Sequence, residues 1–535
     1  MDAAAGAIGS GRPASRAANW LRRVSPVQMV CALVAAAIAV RAAGISLRPL
    51  WLDEAYSAWF SAQSWRDLWT IVPTYEPHPP LYYSLLKIWR GLFGDGLGAL
   101  RSLPLLFSVL AIPVAYAAAI EAERLAPTGR GRLRAGTAAL LVAMSPLLVW
   151  LGAETRPYPM LIFGYAVAIL GVLRLAREFE DRGAGSWAAW AILGAGTELT
   201  LWSHGLGVLY AFCLGLAVLP WAVVRPGSRD RWLKMVATGL VAGLLYLPCL
   251  LLITARSGDW GTGWLHWDPN MIWQLIGLYS VPRESLGIVA FPVAVILLLL
   301  AKRAIAPAIG GGVSWSCDRT ILLLWLGPPA LAIAISMAFM PVFLMRTLAP
   351  TLVPAFLAMA TALARTKAER ERQLLVGVLS VGLTITAVQI SLRPPAEPWN
   401  EASSYLARNV SPGDEIWLYP NDSALPLGDA ARRQDQHYRV RPLPAAFPAL
   451  GVDGPIRAGS PAVVSLTDAK ADALVADPNL REVKTIWLVS RQEDVFDPDR
   501  SLRSALTRVR TPGVARDWAY ISVQPYRLPA RAVAH

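Results

Sequence analysis

Residues 27–60 read VQMVCALVAAAIAVRAAGISLRPLWLDEAYSAWF, and this stretch sets the fold. From Val27 to Val40 no side chain is charged, while Arg12, Arg16, Arg22 and Arg23 precede the run. A membrane-spanning helix needs about 20 mostly apolar residues, and basic flanks mark its cytoplasmic end. The run also has the look of a signal peptide with small residues near Ala42. The polar motif that follows and the many later apolar runs favour an uncleaved first span over 25–43. Its far end opens onto Asp53 and Glu54.

The whole chain repeats the signal. Of 535 residues, 55% are hydrophobic and 16% charged, against about 45–50% and about 25% in a soluble domain. The apolar excess lies before residue 393. Three parts follow: a cytoplasmic segment 1–24, a membrane domain 25–392 with a first outer loop 44–100, and a soluble domain 393–535. The net charge of +13 sits largely in short loops between apolar runs. The positive-inside rule accounts for it without a nucleic-acid partner. Cys31, Cys213 and Cys249 lie in apolar runs and Cys317 in a basic loop, so all four read as packing.

Eleven spans are predicted, near 25–43, 101–120, 136–151, 158–175, 187–204, 206–223, 234–253, 286–301, 320–340, 348–364 and 374–391. Their loops alternate in charge. Arg124 to Arg134, Arg174 to Arg182, Arg225 to Lys234, Lys302-Arg303 and Arg365 to Arg372 belong inside. Asp53-Glu54, Glu154-Thr155-Arg156, His204, the loop 258–268 and Arg346 fall outside, with the soluble domain. Residues 79–94 carry Lys87 and Arg90 and place Leu81, Leu85, Ile88 and Leu92 on one helical face, which predicts an interfacial or re-entrant helix.

Nearly all the conspicuous polar groups lie at outer helix ends. A transporter places ionisable groups near the midplane, and here the expected interiors are almost free of charge. Asp53 and Glu54 read as one ionised base beside a metal or hydrogen-bond partner, or as first-turn caps of a helix. Tyr56 follows on the same amphipathic segment. In Tyr75-Glu76-Pro77-His78-Pro79-Pro80-Leu81-Tyr82-Tyr83 the prolines fix the chain. There Glu76, His78 and Tyr82 are candidate substrate contacts, against the alternative of a surface turn. Glu154-Thr155-Arg156-Pro157-Tyr158 sets a Glu and an Arg at a membrane edge, a phosphate contact or an interfacial ion pair. Arg346 is a second phosphate clamp or a snorkelling side chain. His204 is either structural or, with His78 and an acid such as Glu76, part of a metal site. Trp264 and His266 lie in a Trp- and Gly-rich loop suited to stacking on a sugar or to the membrane interface. No P-loop, dinucleotide glycine motif or paired zinc cysteines occur.

Taken in order, LDEAYSAWF, EPHPPLYYSLLKIW, ETRPYPMLI and MRTLAPTLVP resemble the membrane glycosyltransferases of the GT-C superfamily. The nearest resemblance is to the dolichyl-phosphate-mannose protein mannosyltransferase and aminoarabinose transferase group, over roughly residues 45–360. The resemblance implies an all-α polytopic membrane domain of about 11–13 helices with a small α/β extracytoplasmic domain. It implies an inverting transfer from a polyprenyl-phosphate-linked sugar at the outer face of a bacterial cytoplasmic membrane. The acceptor would be a glycan, a lipid or a protein. Asp53 would be the base, Glu54 would assist it or bind the acceptor, and Arg156 and Arg346 would clamp the departing phosphate. Metal dependence varies among such enzymes, and a divalent ion would fall to Glu76, His78 or His204.

In the tail, WNEASSYLARNVSPGDEIWLYP reads as a helix, a turn and a strand, AVVSL and TIWLVSR as further short strands, and ADALVADPN as a helix between them. The alternative function is a polytopic transporter or lipid-carrier flippase, which predicts internal repeats; none is evident.

Overall fold

The computed structural model describes residues 24–181, 183–223, 228–254, 270–279, 287–310, 315–456 and 460–529. Every expected span corresponds to helical chain. Among the described residues, seven helices are long and apolar enough to cross a membrane. An eighth is made if Gly131–Met144 and Pro146–Gly152, bent by 54°, form one span. The break falls at Ser145, whose ψ of 125° leaves the helical region, as a following proline dictates. Pro26–Ala42 and Gly207–Val223, at 17 residues each, reach about 25 Å and need flanking turns to cross. The chain is a multi-pass membrane protein.

Local signals start these helices. Ser25 caps Pro26–Ala42 in a reciprocal box with Gln28, and Ser186 and Ser316 cap the helices they precede. Pro157 opens Tyr158–Glu180, a largely enclosed span. That helix lies against Trp187–Leu201 at backbone distance. A Cβ on Gly196 would stand 2.3 Å from the Ala168 nitrogen, so small residues set the approach, as in other membrane helix pairs. The interiors are less free of charge than the sequence suggests. Arg41 is buried and donates to Ser108 Oγ at 3.0 Å and to the Ala143 carbonyl at 2.8 Å. Glu198 lies in the Trp187–Leu201 helix. Both stand in the last turns of their helices.

Residues 79–94 do not cross. They form a 13-residue helix, Leu81–Phe93, that buries Tyr82, Tyr83 and Leu86 while Ile88 and Leu92 stay exposed. The apolar stripe expected from spacing is thus divided: Leu81 and Leu85 pack against the core, while Ile88 and Leu92 form an outward end suited to lipid.

The soluble domain is a small α/β unit with six strands: β1 Glu415–Tyr419, β2 Val440–Pro442, β3 Thr485–Arg491, β4 Thr511–Pro512, β5 Arg516–Asp517 and β6 Ile521–Arg527. The order is β2-β1-β3-β6-β4, with β5 also on β6. β1 runs parallel to both neighbours, and β6 is antiparallel to β3. AVVSL, expected as a strand, is a buried loop. Its backbone bonds go elsewhere: the Ala462 carbonyl accepts from Ala449 N and Asn421 Nδ2, and Ser465 N donates to the Pro455 carbonyl. It packs under the sheet's neighbours rather than pairing with them.

One buried carboxylate joins the two parts. Glu397 Oε2 accepts from Leu52 N at 3.0 Å and from Trp399 Nε1 at 2.9 Å. Glu397 Oε1 pairs with Arg491 at 2.7 Å. The Leu52–Ala62 helix has no side-chain cap of its own, so the soluble domain supplies a cap from 345 residues away. Glu397→Ala leaves a helix N–H and a buried guanidinium without partners. The predicted cost is about 3–5 kcal/mol at this seam. Hydrogen exchange at residues 52–56 should accelerate; unchanged exchange would sink the assignment.

Candidate active site

Asp53 occupies the first turn of Leu52–Ala62, so the Glu397 cap fixes its position. Arg346 Nη1 reaches Asp53 Oδ2 at 3.1 Å, and Arg156 Nη2 lies 3.8 Å from the same oxygen. Arg156 Nη1 also donates to the Asp53 carbonyl at 3.1 Å. Three separate segments thus converge: the helix after the first span, the turn before Tyr158–Glu180, and the 3₁₀ turn Met345–Thr351. Both guanidinium carbons stand over the Tyr158 ring, at 5.7 and 5.8 Å, and Arg346 also lies 5.7 Å from the Trp51 ring. Those distances suit cation–π contact. Burial pushes the Asp53 carboxyl up, but the charges of Arg156 and Arg346 outweigh it and hold the group below the usual carboxylate range.

Glu54 points elsewhere. It takes Arg101 in a bidentate pair at 2.8 and 2.6 Å, and Oε1 also accepts from Thr155 N at 2.8 Å. Both groups are fully buried. Arg101 further donates to the Ile45, Arg48 and Pro49 carbonyls. Glu54 therefore binds the first outer loop to the Arg156 turn and so aligns Asp53 with Arg156.

A second cluster lies beside the first. His204 Nδ1 accepts from Leu206 N at 3.1 Å, so its proton sits on Nε2. That atom is 3.0 Å from His78 Nε2, which must accept, leaving the His78 Nδ1 proton for Glu76. Tyr83 also donates to Glu76 at 3.0 Å. Burial holds His204 well below its ordinary value, hence neutral. The His204 ring is 5.8 Å from Tyr158, which links the two clusters. A protein usually gives a divalent ion three or more ligands. Among the described residues no three His, Cys, Asp or Glu side chains converge in that way, and Glu76 faces the far nitrogen of His78. The donor set falls short, and no chemistry is assigned to an ion.

Of the other expected contacts, Tyr56 donates to Asp422 Oδ2 at 2.5 Å. Tyr82 is buried, and its hydroxyl has no hydrogen-bond partner among the described residues. Glu154 accepts from Trp150 Nε1 and lies 3.9 Å from Arg393. Trp264 and His266 lie outside the described residues. Sequence reasoning missed Arg101, Glu397, Asp422 and Arg491. Only Glu397 carried a local hint, an acid between the Pro394-Pro395 break and Trp399.

The fold can be compared with solved structures. This chain is 15% identical to ArnT from Cupriavidus metallidurans in the apo state, with TM-score 0.60 over 93% of this chain and 98% of that one. ArnT bound to undecaprenyl phosphate gives 15%, 0.56, 94% and 98%. The oligosaccharyltransferase AglB from Archaeoglobus fulgidus, in complex with an inhibitory peptide and a dolichol-phosphate, gives 14%, 0.52, 96% and 75%. This chain shares the fold of ArnT and AglB. No family model matches it, and no curated protein matches it. The GT-C resemblance of the four motifs is thereby matched by the architecture, including the appended soluble domain.

Burial, and next the charge of Glu54, push Glu154 from about 4.5 up to about 7. The folded protein then holds a proton that the unfolded chain releases. Its stabilising contribution is complete below about pH 4.5 and is lost as pH rises through about 7. Melting temperature relative to Glu154→Gln should therefore fall across that window and level off above it. Parallel profiles for the two proteins would contradict the assignment.

Proposed function

We propose that this chain is an inverting glycosyltransferase. It moves a sugar from a polyprenyl-phosphate-linked donor to an acceptor hydroxyl at the outer face of a bacterial cytoplasmic membrane, with the N-terminus inside and the soluble domain outside. The observation that carries the reading is one carboxylate, Asp53, held between two guanidinium groups at the membrane-edge ends of helices. The fold shared with ArnT and AglB, whose structures hold undecaprenyl phosphate and a dolichol-phosphate, supports it.

The chemistry needs three things: a base, cations for a departing phosphate, and alignment. The acceptor oxygen attacks the anomeric carbon while Asp53 takes its proton. The bond from that carbon to the phosphate oxygen breaks, and its electron pair leaves with the lipid phosphate. A single displacement inverts the anomeric configuration. Arg156 and Arg346 neutralise the phosphate as its charge grows. Paired with both arginines, Asp53 is a weak base. A donor phosphate that takes up the guanidinium groups relieves that pairing and raises the carboxyl's proton affinity. The base is thus strengthened when the donor is in place. Glu54 is a positioning residue that acts through Arg101 and the Arg156 turn. Tyr158 keeps the two guanidinium planes together.

The test is transfer of radiolabelled sugar from a panel of polyprenyl-phosphate donors by the full-length protein in lipid nanodiscs. Asp53→Asn should lower transfer by about 10²–10⁴-fold, the usual weight of a general base. Transfer at wild-type rate would return Asp53 to a purely structural role. A wild type that transfers no sugar from any donor would favour the transporter reading. In the same preparation Arg346→Gln should weaken undecaprenyl phosphate binding about tenfold, the weight of one charge-assisted contact. Unchanged binding would remove Arg346 from the phosphate site.

A further inference from the structure

The soluble domain does more than cap a helix. β2 and β3 flank β1 on opposite sides, so the connections from β1 diverge. In an open α/β sheet, ligands bind beyond the carboxyl ends of the strands at such a switch point. Here the carboxyl ends of β1 and β3 face the membrane domain. Asn421, Asp422 and Ser423 follow β1 after Pro420, and Arg491 ends β3. Asp422 meets Tyr56, one helical turn from Asp53 and on the same face.

Asn421, Asp422 and Ser423 are fully buried, at 0, 1 and 0% exposure. Yet Asn421 Oδ1, Asp422 Oδ1 and Ser423 Oγ have no hydrogen-bond partner among the described residues. A buried polar atom without a partner costs about 1–3 kcal/mol, and three in succession call for a common explanation. The carboxylate and amide oxygens accept only, so they require donors. Hydroxyl groups can donate to such a set, whereas the oxygens of an ionised phosphate only accept. Tyr56, the partner of Asp422, sits among aromatic rings: Phe447 stands 5.3 Å from Tyr56 and 5.2 Å from Trp59.

We infer that Asn421, Asp422 and Ser423, together with Tyr56, form an acceptor subsite that holds a saccharide through its hydroxyl groups beside Asp53. This rests on the glycosyl-transfer reading and narrows it: the acceptor is a glycan rather than a peptide or a bare lipid. Arg491 positions the subsite, because it ties Glu397 to the end of β3.

The experiment uses the full-length protein in nanodiscs, undecaprenyl phosphate as the binding probe, and an envelope-derived oligosaccharide pool as acceptor. Asp422→Asn and Asn421→Leu are compared with wild type. The expected result is a rise of about tenfold or more in the acceptor concentration for half-saturation, as loss of a buried hydrogen bond gives. Undecaprenyl phosphate binding and melting temperature should stay near wild type. Unchanged half-saturation in both variants would overturn the subsite and leave the transferase reading standing. So would a loss of transfer that runs in parallel with a loss of lipid binding and stability, which marks a structural seam only. Label recovered in peptide or in sugar-free lipid would overturn the saccharide assignment. A wild type that transfers nothing from any donor would overturn both the reading and the inference.

Discussion

Two guanidinium groups at the edge of a membrane need an anion, and Asp53 is the anion they have. Moving an ion from water into protein costs several kcal/mol unless a counter-charge is close. Arg156 is nearly buried and Arg346 about a quarter exposed, so neither is solvated as a free side chain. Their shared partner orders the Thr155–Tyr158 turn, the Met345–Thr351 turn and the start of the Leu52–Ala62 helix around one point. In the proposed reaction a second anion, the donor phosphate, arrives at that point. The cations stay, and the carboxylate is the group that must loosen. Ground-state order and transition-state stabilisation thus use the same pair of charges.

Two buried carboxylates hold that point still. Glu54 fixes the loop to Arg101 and Thr155 from the membrane side. Glu397 fixes the helix N-terminus to Arg491 from the soluble side. Each is fully engaged, so neither is available for proton transfer. Adjacent acids in the sequence therefore separate by environment. Asp53 has salt-bridge partners that a phosphate can claim, while Glu54 has partners that nothing else can reach.

The spans were legible because hydrophobicity is a local property. Loop charge placed Asp53, Arg156 and Arg346 on one face of the membrane, although nothing local showed that they touch. That meeting depends on how helices pack, which rests on details such as the Gly196–Ala168 approach. The seam was not legible. Leu52 and Glu397 are 345 residues apart, and Tyr56 and Asp422 are 366 apart. An acid after a strand or after two prolines looks like any surface residue. AVVSL misled for a related reason. Its β-branched residues read as a strand, but burial under a loop satisfies the same composition. The stripe on Leu81–Phe93 was found, yet its Ile88 and Leu92 end faces outward because tyrosines fill the inner side.

The most direct test of the account is undecaprenyl phosphate affinity in wild type and Asp53→Asn, measured by native mass spectrometry of the full-length protein in nanodiscs. If Asp53 and the phosphate compete for Arg156 and Arg346, removing the carboxylate charge should tighten lipid binding severalfold, up to about tenfold, as expected for charges a few ångströms apart at intermediate dielectric. Unchanged or weaker binding in Asp53→Asn would mean that the arginines serve Asp53 alone, and the shared-charge account would be wrong.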